Sequence, residues 1–524
     1  MDRRALSFLP LVIFCSPLSI QRVAGQEPQL QQHFTISEDS TRLTFPLTKE
    51  GYVNYSAAID AMNWAPQSTN AAADLIQMVG APGYWEPAQV EVLKVSLGLD
   101  ELPGGGSMLM TRQDYSNGLQ KSGQTVPTEA EKTDQWKLAR NQPWTKDQAP
   151  FIYNWIEANS QYLSKVDAIL EKPDFFEPLE YAVPDFPLSP GIVSEANRVF
   201  SYLLIARSHL HAGEGRYQSA VEDMLRIHKL SRLGKNAQLT TQDFDTVEMY
   251  SMETGQKLVN SADLDSAALQ SFLDGLNQLE PMTLGRDRCQ YRRYFHLAAA
   301  SSSARMSPKE YIGQVGLDQR FGNNAPYCCE VTSDQIDWDD LLSSINKRFD
   351  RLEEIYAVTD AAERYRLIRE LTDAAQTKSF NFDRAAEYGE VFKKDPGEAK
   401  RRLTDDLDGV LNQWLDCQTQ AWYDYLCNLN MDLLRLAVAA KLYETQHGKL
   451  PENCEAIEGY FETVPLDPVS GKHYRWKSTD DGLEISSASS DDEELPSSIR
   501  EVAVVVRTKS GDASQVKDQS LGLS

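Results

Sequence analysis

Apolar residues recur at three- and four-residue spacing along most of this 524-residue chain, a period that amphipathic helices require and strands do not tolerate. The longest such run, Leu407 to His447, carries Leu411, Trp414, Leu415, Trp422, Leu426, Leu429, Leu433, Leu436 and Ala440 in register. A single helix of that length would exceed about 60 Å, so a kink or split is expected within it. Gly448 and Pro451 end the run. Residues 195–212, a turn at Gly213-Glu214-Gly215-Arg216, and residues 217–233 predict a helical hairpin. The fold class that follows is mainly α, with helical hairpins packed as an irregular helical domain. A small C-terminal antiparallel β subdomain is expected from His473–Trp476, Leu483–Ser486 and Val502–Arg507.

Around that framework the chain divides as follows. Residues 1–25 read as a secretory signal: Arg3 and Arg4 precede an apolar stretch, Ala5 to Ile20, and Val23-Ala24-Gly25 supplies small residues at a cleavage-like site. Residues 26–102 form an arm with short helices at 52–62, 71–79 and 88–97, and an edge strand or ordered arm is expected over 34–48. Residues 103–150, polar and weakly periodic, are read as a loop or linker. Residues 151–300 form a helical domain containing the hairpin at 195–233, with one helical face from Phe151 to Leu170 and further helices at 241–261 and 264–278. A Ser/Gly/Asn-rich loop at 301–335, long helices over 336–448, the β subdomain at 449–507 and a disordered tail at 508–524 complete the chain.

Net charge narrows the partners. The formal charge is −25, and loss of residues 1–25, with three arginines and one aspartate, would bring it to −27. So acidic a surface repels phosphate backbones, and nucleic acid is excluded as a partner. No later segment is apolar enough to span a bilayer, so no stable membrane span is expected once the signal is removed. Six cysteines then remain, Cys289, Cys328, Cys329, Cys417, Cys427 and Cys454, an even number that permits up to three disulfides in an exported chain. Cys417 and Cys427, ten residues apart on one helix, would lie about 15 Å from each other and could not pair.

Catalytic signatures are absent: no GxSxG elbow, no Walker loop and no HExxH occur, and no residue is singled out as catalytic or cofactor-binding. Ser344-x-x-Lys347 and Ser514-x-x-Lys517 lack the companion motifs of serine hydrolases. His209 and His211 face nearly opposite ways on one helix, which suits packing better than shared metal ligation. The run Asp491-Asp492-Glu493-Glu494 is a candidate for weak divalent-cation binding, although it lacks the glycine-punctuated alternation of an EF-hand loop and reads first as a solvated acidic segment.

Several segments carry resemblances. Gly215-Arg216-Tyr217 with Ala220 and Met224 is similar in spacing to the second helix of a tetratricopeptide repeat, but the 34-residue period is not sustained. Ala439 to Leu442 with Tyr443, His447-Gly448-Lys449-Leu450-Pro451, and Val464-Pro465 with Asp467-Pro468, Ser470-Gly471-Lys472 and Tyr474-Arg475 resemble the tail of uncharacterised exported proteins of planctomycete bacteria. The same tail resembles the end of major pseudopilins, although here some 400 residues separate it from the apolar N-terminus. These resemblances imply an exported protein, periplasmic or extracellular, and bring no activity with them. The expected function is a non-catalytic helical interaction or scaffold protein of the cell envelope with a protein partner and no cofactor. An extracytoplasmic hydrolase and a pseudopilin-related secretion component are the alternatives.

Overall fold

The computed structural model describes residues 33–81, 86–103, 109–179, 192–233, 241–280, 285–306, 336–376, parts of 394–408, 417–488 apart from 469 and 481, and 502–508. The expected signal at 1–25, Cys328, Cys329 and the acidic run Asp491 to Glu494 lie outside the described residues. The fold is mainly α with one small sheet.

Residues 34–54 form an ordered arm without a strand; an isolated bridge joins Leu47 to Val53. Side chains hold the arm instead. The Thr41 hydroxyl donates to the Leu43 carbonyl at 2.7 Å, and the buried Tyr55 hydroxyl donates to the Thr41 carbonyl at 2.8 Å. Helix α1 (Tyr55–Asn63) begins at Asn54, whose side chain accepts from the Ala57 amide. Helix α2 (Ala71–Val79) is capped by Asn70. Helix α3 (Pro87–Leu97) closes on Gly98 in a left-handed conformation, φ 68°.

The expected loop at 103–150 is largely helical. Helix α4 (Arg112–Lys121) and helix α5 (Glu129–Asn141) each start with a capping box, Thr111 with Asp114 and Thr128 with Glu131. Paired caps of this kind satisfy otherwise orphaned amides and specify a helix start with few apolar residues behind it. The single helical face expected from Phe151 to Leu170 is broken into α6 (Pro150–Ala158), α7 (Ser160–Leu163) and α8 (Val166–Leu170). Asn159 makes the break: its amide donates to the Trp155 carbonyl at 2.9 Å, and its oxygen accepts from the Met110 amide at 2.9 Å.

The hairpin forms as expected, α9 (Ile192–Gly213) against α10 (Tyr217–Leu233). Gly213 is required there, because a Cβ would stand 2.1 Å from the Trp144 carbonyl oxygen. Next come α11 (Thr241–Ser261), α12 (Ser266–Asn277) and α13 (Gly285–Met306). The last turn of α13 occupies 301–306, the start of the expected loop, because Ser301, Ser302 and Ser303 are buried against neighbours. Helices α14 (Trp338–Tyr356), α15 (Ala361–Gln376) and α16 (Cys417–His447) follow. The 31 residues of α16 are continuous, about 46 Å long, and place Cys417 and Cys427 on one helix. No helix among the described residues is long and apolar enough to cross a membrane.

After a 3-10 turn at Cys454–Tyr460, strands β1 (Arg475–Thr479), β2 (Gly482–Ser486) and β3 (Ala503–Arg507) form an antiparallel sheet in chain order. Leu483 opposite Val506 and Ile485 opposite Val504 turn one face inward onto the helices. Asn260 of α11 grips the last strand, donating to the Val505 carbonyl at 2.7 Å and accepting from the Arg507 amide at 3.0 Å.

Apolar burial gathers in two cores. The larger is built from α2, α5, α6, α9 to α12, α16 and the sheet. The smaller joins Phe34, Tyr52, Val53 and α1 to α13 and α14. Helix α15 belongs to both, through Tyr365 in the larger and Ile368 in the smaller.

Candidate functional site

Part of the hairpin's charge is turned inward. Asp223 of α10, fully buried, accepts from Arg207 of α9 at 2.7 and 2.6 Å and from Arg226 at 2.8 Å. Arg226 also grips Asp167 in a fork at 2.7 and 2.9 Å, which holds the guanidinium above its ordinary range and the Asp167 carboxyl below its own. His211 lies 3.6 Å from Asp223, yet burial outweighs that carboxylate and lowers its pKa. Two arginines around one buried acid form a closed ionic clasp between consecutive helices, and all three side chains are occupied.

One turn further along lies the molecule's closest approach to a catalytic constellation. His228 of α10 and Glu248 and Ser251 of α11 are fully buried. The His228 Nδ1 stands 3.0 Å from Glu248 Oε1 and 3.0 Å from Ser251 Oγ. Ser231 donates to the other Glu248 oxygen, and Arg232 donates to Oε1 at 2.8 Å. Burial alone would raise the Glu248 pKa, but His228, Arg232 and the serine hydroxyl together bring it down to about 2.

That wiring opposes hydrolysis. A serine nucleophile must deliver its proton to one ring nitrogen while the acid holds the other. Here acid and hydroxyl share Nδ1, and the Ser251 hydroxyl donates to the Glu248 carbonyl at 2.7 Å. The opposite nitrogen, Nε2, is buried without a hydrogen-bond partner. The group therefore bolts α10 to α11.

A third polar cluster fastens the sheet. Tyr474, just before β1, donates to Asp432 of α16 at 3.2 Å, and Arg435 reaches the same carboxylate at 3.4 Å. Burial, reinforced by the nearby Asp467, raises Asp432 to about 6 against both partners. Asp467 itself is fully buried and accepts from the Ser487 hydroxyl at 2.6 Å, the Ala488 amide at 2.8 Å and the Ser470 amide at 3.1 Å. The Asp467-Pro468 and Ser470-Gly471 turns of the tail are thus organised by one carboxylate.

An open groove of about 800 Å³ runs between α10 and α12 on the surface of the hairpin. Leu225 and Leu279 give it apolar footing, and Gln270, Ser271 and Gln278 give it uncharged polar rims. Lys229 and Asp274 contribute one charge of each sign. Gly275 sets its depth, because a Cβ there would come 2.4 Å from a Leu225 methyl.

The residues singled out in sequence distribute differently. Cys289, Cys427 and Cys454 are each buried and no disulfide joins any two of them, while Cys328 and Cys329 lie outside the described residues. They sit in separate surroundings, Cys289 in the smaller core and Cys427 in the larger. His209 is fully buried with its pKa pressed to about 3, first by desolvation and then by Lys257, and serves packing. Ser344 donates to Asp408 at 3.3 Å, and that carboxylate also takes Arg348, so the Ser344/Lys347 fragment assembles no nucleophile. No group of three metal-ligating side chains occurs among the described residues. Sequence reasoning missed Asp223, Glu248 and Asp432, whose only signal was an acid at a helix position where the apolar period called for a hydrophobe, and it read Asp467 only as part of a turn.

No protein-family model, curated protein or solved structure matches the chain.

Proposed function

We propose that the protein is an exported, non-catalytic helical interaction protein of the cell envelope, and that the groove between α10 and α12 is its docking face for a protein partner. The observation that carries this reading is a division of labour on the hairpin. Its buried Asp223 and His228 are consumed in sealed contacts, while its outer side offers an open groove whose lining charges, Lys229 and Asp274, are of opposite sign, on a chain of charge −25. A polypeptide segment meets there leucine contacts and amide-rich rims without the desolvation cost of burying like charges. Export rests on the charged and apolar character of residues 1–25 and on the tail's resemblance to exported planctomycete proteins. The hydrolase alternative loses its strongest residues to the shared Nδ1 of His228.

Ala267, exposed on the groove's rim, supplies the test. Cross-linking of the full chain to envelope extract should capture a specific partner, and Ala267→Arg should abolish capture without lowering Tm. Turnover of a hydrolysable substrate that survives Ala267→Arg and disappears in His228→Asn would overturn the reading.

A further inference from the structure

On the far side of α9 from that groove, α4, α5, α9 and α11 enclose a pocket of about 60 Å³. Its chemistry inverts the molecule's. Arg112, Arg140 and Lys257 line it together with Trp136, Tyr202 and Tyr250, in a chain with 77 acidic and 52 basic residues. The Arg112 guanidinium lies 4.2 Å over the Trp136 ring, and Trp136 meets Tyr202 edge-on at 5.4 Å. The one carboxylate in the lining, Glu253, is taken by Lys257 at 2.5 Å, and Lys257 also donates to Asn141 at 2.7 Å.

Neither Arg112 nor Arg140 pairs with a carboxylate among the described residues. Several other sheltered arginines do: Arg207 and Arg226 with Asp223, Arg232 with Glu248, Arg293 with Asp350 and Arg348 with Asp408. Burial depresses the Arg112 pKa, and the neighbouring charge of Arg140 depresses it further against Tyr202. Arg112 is half-sheltered and Arg140 is exposed at the rim, and the two cations repel each other beside an aromatic wall, a repulsion that an anion between them would relieve.

We propose that this pocket binds a compact oxyanion group, a phosphate or a carboxylate, between Arg112 and Arg140. The planar forks of two guanidinium groups match the paired oxygens of either anion. Size limits the occupant: a water needs roughly 10–15 Å³ on the same measure, so the pocket admits about four waters' worth of ligand, one anionic head. The proposal is independent of the docking groove.

Isothermal titration of the full chain with inorganic phosphate, and separately with acetate and benzoate, tests it. Saturable binding of at least one of these anions is expected, weakened roughly tenfold to a hundredfold in Arg112→Gln or Arg140→Gln. Ala267→Arg should leave it unchanged. Response to phosphate alone assigns a phosphate-bearing ligand, and response to the carboxylates alone assigns an organic acid. A second readout separates binding from architecture. In chloride buffer without the anions, Arg140→Gln should keep or raise Tm, because it removes repulsion, whereas a structural arginine would lower it. Absence of saturable binding to all three anions, binding retained in the double variant, or a lowered Tm for Arg140→Gln would overturn the proposal.

Discussion

The larger core is assembled chiefly from helices that follow one another in the chain, α9 to α12, and is closed later by α16 and the sheet. The smaller core is assembled from segments far apart. Thr35 of the arm donates to Asp339 of α14 across 304 positions, and Asn346 of α14 donates to the Asp39 and Ser40 carbonyls at 2.9 Å each. Contacts between neighbouring helices cost little loop-closure entropy, whereas the arm must find α14 after the rest of the chain is placed. Both cores pair buried acids with arginines, Asp223 with Arg207 in the larger and Asp408 with Arg348 of α14 beside the smaller, where Arg293 and Arg305 also lie over the rings of Phe349 and Tyr52. With far fewer buried side chains, the smaller core is expected to be the less stable cooperative unit.

The strongest way to break that comparison is a matched pair of cavities. Phe272→Ala in the larger core and Phe349→Ala in the smaller should each cost about 3–5 kcal/mol, since both rings are fully buried. Native-state hydrogen exchange should show Phe349→Ala releasing the arm, α13 and α14 while α9 to α12 stay protected. Equal loss of protection in α9 to α12 would mean that the cores open as one.

A smaller effect separates them by pH. Asp432 belongs to the larger core and is raised to about 6, so the folded protein holds that proton more tightly than the unfolded chain. Its contribution favours folding below pH ~4 and is lost as pH rises through about 6. Asp432→Asn, which keeps an acceptor for Tyr474, should therefore gain about 2–3 kcal/mol at pH 7 and nothing at pH 4, read as denaturant midpoints. The histidines supply no such contrast: His209 in the larger core and His296 beside Phe349 are both lowered to about 3 by burial first. Each contributes stability above pH ~6.5 that declines on acidification, so this loosening affects both cores alike.

The smallest expected change is Asn346→Ala, which removes both donors to the arm and should cost about 1–2 kcal/mol. Limited proteolysis should then cut the arm faster while the α9–α10 hairpin keeps its resistance. Unchanged cleavage would show that the remaining contacts, Phe34 and Tyr52 in the core and Thr35 on Asp339, suffice to hold the arm down.

Legibility in the sequence followed the apolar period. Helices α9, α10, α11 and α14 and strands β2 and β3 lie within a few residues of their expected bounds because of their apolar patterning, whereas β1, with no buried residue, runs to Thr479 rather than the expected Trp476. Helices α4 and α5 were hidden because their apolar residues are sparse, although Thr111-x-x-Asp114 and Thr128-x-x-Glu131 were readable as capping boxes. Helix α13 has no amphipathic face at all, since it buries Arg288, Arg293, His296 and three serines along with its alanines. The sites were less accessible. His228 and Glu248 are twenty positions apart, and Arg112 and Lys257 lie still further apart, so only the packing of separate helices brings them together.

Strand β3 carries a temporal consequence. Val502, Val504 and Val506 seal the floor of the larger core, and Arg507 is anchored by Asn260 and by the Lys441 ammonium, which donates to its carbonyl at 2.6 Å. Until β3 docks, α11 and α16 lack the strand that covers them, so a chain released before position 507 would leave that apolar seam bare.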